Sequence, residues 1–353
     1  MRRAARASAI ILASIGSPAA TPAMPRATTG QRAEVPIREV VLGDGTRRYG
    51  VSIVIGTTRV EAGLDTGSTG LRVLPTGLAQ EDVRPTPATD YMEYGGGVRL
   101  DGNVAEASVA VGALRGNATL QLVRAVSCVR GKADCTAAAV SFARYRIMGG
   151  DKPDEGFAAI LGINMGAAAD VANPLRGLGA HRWIIDLPRP GEPGPGRLVL
   201  NPTEAETAGY APVEIVDSFA AARGSLHDAV RGCLVNGTSR EKTCGAVVLD
   251  IGDPGLRIVS ANTPAGPWPG GTPITLFFAD AAGHVHTAEQ ATIGMDQTTT
   301  LVFENRPGAH QPFILTGVLP YLSYSVLYDP EHGTIAFKPR SKLAGAPFAL
   351  PTD

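Results

Sequence analysis

The chain repeats itself. Residues 63–75 read GLDTGSTGLRVLP and residues 248–260 read VLDIGDPGLRIVS, identical at six of thirteen positions across an offset of 185 residues. Each copy is followed by an apolar run that ends in glycine, at residues 158–162 (AAILG) and 313–317 (FILTG). Each then closes with a hairpin pattern, WIID leading to GRLVLNP and VLYD leading to GTIAFKP. Three features in the same order, twice, constrain the chain to two copies of one folding unit. The join falls near residues 201–212, which predicts a first unit over 37–205 and a second over 206–353.

The unit reads as all-β. Short β-branched and aromatic runs, such as 49–55 (YGVSIVI), 183–186 (WIID), 274–278 (ITLFF) and 334–337 (TIAF), are bounded by Gly, Pro, Asp or Asn. With 43 glycines and 27 prolines the chain turns often and serves helices poorly. Short helices are expected only over 164–171 and 202–208. Regular alternation of strands and helices is absent, and no glycine-rich phosphate loop follows a strand, so a nucleotide-binding parallel sheet is excluded.

The N-terminus belongs to neither copy. Arg2, Arg3 and Arg6 precede a short apolar run at residues 7–16, and small residues and prolines follow. This is the pattern of a secretory leader, expected over residues 1–23, with a short segment over 24–36 behind it. The apolar run is too short to span a bilayer. The Ala, Arg, Gly and Pro bias is of the bacterial kind, which points to the periplasm or the outside of the cell. Four cysteines lie in two close pairs, Cys128 with Cys135 and Cys233 with Cys244. Three connectivities are possible, and local pairing is the simplest. Zinc fails on spacing, and no metal or other cofactor is implied. His284 and His286 would share one strand face without an evident third ligand, and read as surface residues. A net charge of −1 without a basic run excludes nucleic acid as a partner.

The repeated residue with chemistry is the aspartate, Asp65 in one copy and Asp250 in the other. Each follows an apolar strand and precedes a glycine turn, Gly67 or Gly252. If the copies pack about a pseudo-two-fold axis, the two carboxyl groups can meet near it. Two such groups at one point cannot both ionise cheaply, so they hold one proton between them. One can then activate a water while the other protonates and polarises a carbonyl.

At these residues the chain resembles the pepsin-like aspartic peptidases. Asp65-Thr66-Gly67-Ser68 matches the family's D-T-G-S motif, and Asp250-Ile251-Gly252 matches the second motif in part. Residues 159–162 and 314–317 resemble its two apolar-apolar-Gly segments, and Tyr94-Gly95-Gly96-Gly97 resembles the tip of its flap. The resemblance spans about residues 37–340. It implies a two-lobed acid-protease fold with pseudo-two-fold symmetry, Asp65 and Asp250 as catalytic dyad, and Tyr94, Gly95 and Gly96 on a flap that closes over peptide. Ser68 would then support Asp65, and Thr66 would reach across to the other lobe. The expected protein is a monomeric secreted or periplasmic endopeptidase acting on peptides or unfolded proteins.

Several positions depart from that pattern. Ile251 stands where a hydroxyl residue is usual, and Asp253 stands where a hydroxyl usually supports the second aspartate. Asp253 either donates as a protonated acid or pushes the pair's proton affinity upward. Arg72 replaces the tryptophan that often holds the flap tyrosine. The divergent second motif carries an alternative reading, a pepsin-fold peptide-binding or inhibitory protein without turnover.

Overall fold

The computed structural model describes residues 30–341, except 77, 167–170, 191, 217–227, 262–267, 280–284 and 307–311. The expected leader lies outside these residues. The fold is all-β, with twenty strands among the described residues linked into one mixed sheet system and only helices of three to five residues. The first half carries β1 (Ala33–Val41), β2 (Arg47–Ile55), β3 (Thr58–Asp65), β4 (Thr69–Val73), β5 (Arg84–Glu93), β6 (Val98–Val111), β7 (Leu114–Cys128) and β8 (Ala159–Ile163). Next come β9 (Trp183–Asp186), β10 (Gly196–Leu200) and β11 (Ala211–Val216). The second half carries β12 (Ala229–Asn236), β13 (Lys242–Val248), β14 (Leu256–Ser260), β15 (Pro273–Ala279), β16 (Val285–Thr292), β17 (Leu301–Asn305), β18 (Phe313–Leu315), β19 (Tyr324–Asp329) and β20 (Thr334–Pro339).

The strand pairings around the two aspartate loops correspond. In the first half β3 runs parallel to β8, with Asp65 opposite Gly162. β4 then returns antiparallel to β8 and parallel to β7. In the second half β13 runs parallel to β18, and β14 returns antiparallel to β18 and parallel to β17. Each loop therefore joins two strands that flank a common partner. Every residue of β8, Ala-Ile-Leu-Gly-Ile, is buried, as a strand covered on both faces requires.

The halves are stitched together by strands. β9 pairs with β19, setting Trp183 of the first half opposite Tyr328 of the second. β1 alternates buried and exposed residues from Ala33, pairing first with β10 and then with β2. Its first four residues thus belong to the sheet and not to the N-terminal segment expected over 24–36. The largest cluster of buried side chains runs through both halves, from Val51, Leu64 and Trp183 to Leu234, Ile258 and Tyr328.

Of the two expected helices, the one over 202–208 forms at Glu204–Thr207, started by a reciprocal Thr203–Glu206 capping box. The other does not form over its described residues, 164–166 and 171. Asn164 spends its side chain on loop contacts, donating to the Thr66 carbonyl and accepting from Gly166 N–H. Residues of this kind compete with helix by bonding locally to backbone. Both cysteine pairs are bridged locally, Cys128 to Cys135 and Cys233 to Cys244. Among the described residues no helix is long and apolar enough to cross a membrane.

Candidate functional site

Asp65 is the last residue of β3 and is only 3% exposed. The turn that follows bends back onto its carboxylate. Gly67 N–H donates to Oδ1 at 2.7 Å, Ser68 N–H to Oδ1 at 3.2 Å, and the Ser68 hydroxyl to Oδ2. Asp250 lies just beyond β13, and Asp253 N–H donates to its Oδ1 at 3.2 Å. The two loops face one another closely. A Cβ built on Gly67 would stand 2.3 Å from Asp250 Cγ, and one on Gly252 would stand 2.6 Å from Asp65 Oδ1. Neither loop could approach the other with a larger residue at these positions.

Burial pushes the Asp250 carboxyl well above the usual carboxylate range, and the charges of Asp65 and Asp253 add to the effect. A hydrogen bond to Asp65 accompanies this shift. Two buried carboxyls this close cannot both ionise cheaply, so the pair can hold one proton between them.

Thr66 crosses between the halves. Its hydroxyl donates to the Leu249 carbonyl at 2.6 Å and accepts from Ile251 N–H at 2.9 Å, holding the chain on both sides of Asp250. Ile251 is buried and apolar and returns no such bond.

Asp253 does not act as a copy of Ser68. Its Oδ2 accepts from Arg257 Nε at 3.1 Å, and its Oδ1 accepts from Gly255 N–H at 3.4 Å. Arg257 in turn donates to Glu304 at 3.2 Å. Of the two behaviours expected for Asp253, the geometry fits the electrostatic one, a fixed negative charge that raises Asp250.

β5 and β6 form a long hairpin whose tip is Tyr94-Gly95-Gly96-Gly97, closed by Tyr94 N–H to Val98 O at 2.9 Å and Gly97 N–H to Tyr94 O at 2.8 Å. The ring of Tyr94 is half-buried, while its hydroxyl is buried beside Ser68 and in electrostatic range of Asp65 and Arg72. Arg72 is 1% exposed, donates to the Thr69 carbonyl at 2.6 Å and lies 3.8 Å from Asp90 of β5. A buried cation thus stands behind the hairpin where the resemblance led one to expect an aromatic ring. Gly95 and Gly96 are exposed, and a Cβ built on Gly95 would stand 3.9 Å from Arg257 Nε of β14. Lys132 Nζ donates to the Gly95 carbonyl at 2.6 Å and lies 3.5 Å from Glu304. Its position is fixed by the Cys128–Cys135 loop, where Val129 N–H also donates to the Gly97 carbonyl at 2.8 Å.

Several site residues have no signal in the sequence. Arg48 of β2 donates to the Gly252 carbonyl at 2.6 Å, and its buried Nε has no hydrogen-bond partner among the described residues. Burial lowers its guanidinium affinity for the proton, while Asp253, Asp250 and Asp65 pull it back up. Asp228, next to β12, accepts from Met165 N–H, and burial pushes its carboxyl up to about 7. Tyr321 donates to the Thr66 hydroxyl at 3.2 Å. Each of these contacts joins segments far apart in the chain, so no local pattern announces them.

A separate pocket of about 450 Å³ lies against β5, β6 and β7, lined by Tyr91, Arg99, Asn103 and Arg124 among others, and includes neither aspartate of the pair. Among the described residues no group of three His, Cys, Asp or Glu could hold a metal ion. His284 lies outside the described residues, as does the side chain of His286. No protein-family model matches the chain, and no curated protein matches it.

Proposed function

We propose that the protein is an aspartic endopeptidase of the pepsin-like kind, acting outside the cytoplasm on peptides or unfolded proteins. The observation that carries this reading is the facing of Asp65 and Asp250 across two glycine turns, with the Asp250 carboxyl raised by burial and by its acidic neighbours. Two disulfides agree with an oxidising compartment.

In the proposed reaction Asp65, fixed by three donors of its own turn, takes a proton from a water. The water oxygen bonds to the scissile carbonyl carbon. Asp250 gives its proton to the carbonyl oxygen as charge develops there. The tetrahedral gem-diol collapses when the carbon–nitrogen bond breaks: Asp65 passes the proton it took to the amine nitrogen, and a hydroxyl of the gem-diol returns its proton to Asp250, which restores the pair. The β5–β6 hairpin acts as the flap, excluding water and holding the peptide in line. Arg48 and Asp253 set the electrostatic level at which the pair operates.

A second reading, a peptide-binding protein without turnover, draws on Ile251 and on the Lys132 contacts that hold the hairpin tip toward the second half. Cleavage of an unfolded protein by the mature chain, assayed from pH 3 to pH 7 with and without pepstatin, separates the two. Pepstatin-sensitive cleavage is expected. Its absence at every pH would remove the peptidase reading and leave the binding one.

A further inference from the structure

We infer that Tyr321, backed by Tyr328, is a positioning residue for the aspartate pair, supplying a brace that Ile251 cannot give. The inference rests on the peptidase reading, but it begins from an asymmetry in the repeat itself. Thr66 and Ile251 occupy equivalent places, one residue beyond Asp65 and Asp250. Thr66 grips the opposite loop on both sides of Asp250. Ile251 has no side-chain donor or acceptor and is 1% exposed, so it cannot grip the loop around Asp65. The Thr66 hydroxyl is then a side-chain joint by which the first loop grips the backbone of the second.

A hydroxyl has one proton to give and two sites that accept. The Thr66 proton goes to the Leu249 carbonyl, and one accepting site takes Ile251 N–H. The remaining site takes the phenol of Tyr321 at 3.2 Å. This third bond saturates the hydroxyl and opposes rotation of the Thr66 side chain about χ1. Tyr321 is itself oriented, since its oxygen lies 2.5 Å from that of Tyr328. Tyr328 is held in turn by stacking on Trp183, with centroids 5.9 Å apart and planes 12° from parallel, where β9 meets β19. Both tyrosines are buried, and burial raises the proton affinity of each phenol, so both remain donors across the working pH range. The outcome is a buried line of hydroxyls from the strands that join the halves to the loop that carries Asp250.

Core tyrosines that merely satisfied each other's hydroxyls would affect folding and nothing else. A brace has a different signature. Ile251 N–H exchange reports the Thr66 contact directly. In Tyr321→Phe the exchange of that amide is expected to accelerate about tenfold, with kcat per folded molecule reduced about tenfold and KM little changed. Adding Ile251→Thr, which returns a hydroxyl to the second loop, is expected to restore most of kcat. Tyr328→Phe should act in the same direction more weakly, and serves if Tyr321→Phe does not fold. Unchanged Ile251 exchange together with unchanged kcat would overturn the inference, as would a kcat loss that Ile251→Thr leaves untouched. If the wild-type protein cleaves nothing, the peptidase reading falls, and the exchange measurement alone still decides whether Tyr321 braces Thr66.

Discussion

Lys132 and Glu304 meet at 3.5 Å from opposite halves of the chain, and the same Lys132 Nζ donates to the Gly95 carbonyl of the hairpin tip at 2.6 Å. Lys132 sits on a disulfide-closed loop of the first half, and Glu304 lies on β17 of the second. Arg257 links Glu304 onward to Asp253, so a line of charge runs from the hairpin tip to the loop of Asp250. With Lys132 about two-fifths exposed, this is a weak and screenable contact rather than a lock.

Peptide entering beneath the tip has to displace that contact. Lys132→Met is expected to lower KM by about twofold to fivefold, consistent with the loss of a partly exposed ion pair. Raising salt should lower the wild-type KM and leave that of the variant unchanged. Initial rates at low and high ionic strength check this. Equal KM values with equal salt responses would show that the contact does not restrain the hairpin.

Asp253 adds its negative charge to the forces that keep the Asp250 proton in place. Asp253→Thr removes that charge, so Asp250 loses its proton at lower pH. The alkaline limb of kcat/KM should therefore move toward acid by roughly one unit. A pH–rate profile of the two proteins measures the shift. An unmoved limb would mean that Asp253 is electrostatically idle.

Three buried carboxyls hold protons more tightly when folded than when unfolded. Asp228 and Glu289 are each pushed up to about 7, chiefly by burial, and Asp250 is raised well above its ordinary value. The sign follows from linkage. A folded state that binds more protons is favoured at low pH, and that advantage fades as pH rises from the ordinary carboxyl value of 3.8 through about 7. Glu206, lowered to about 2 chiefly by its bond to Arg32, pulls the other way at stronger acid. Calorimetry should find Tm higher near pH 5 than near pH 8. Asp228→Asn should flatten that slope, and an unchanged slope would contradict the protonated state assigned to Asp228.

Asp65→Asn and Asp250→Asn should each reduce cleavage by about a thousandfold or more, because each removes one of the two proton-transfer partners. Neither should lower Tm near neutral pH, since each also relieves repulsion between buried acids. Fluorogenic peptide assays and melting curves on the same preparations check both parts. A wild-type rate in either variant would refute the pair as catalyst.

The repeat made much of the fold legible. The similar sequences at the two aspartate turns go with corresponding strand pairings around them, since in each an apolar strand, a glycine turn and a returning strand bury the same kind of surface. Local cysteine spacing foreshadowed both bridges. β5 was harder to foresee, since Pro85 and Pro87 lack the N–H that a strand interior uses. Its pairing with β6 shifts register between Pro85 and Thr89. β12 (AVRGCLVN) and β16 (VHTAEQAT) likewise lack a regular alternation of apolar and polar residues.

The sequence by itself determined the all-β class, the duplication and the two acidic turns, because these follow from local patterns of apolar residues, glycines and repeats. Tertiary structure alone decided what surrounds those turns. Arg48 reaches Gly252, Tyr321 reaches Thr66, and Asp228 reaches Met165, each across more than sixty residues of chain. Asp253 could be named in advance, but of its two expected behaviours, donating a proton or opposing negative charge on Asp250, the ion pair with Arg257 at 3.1 Å fits the second. Such choices depend on which charges and hydroxyls stand within a few ångströms, and only the packed chain fixes those distances.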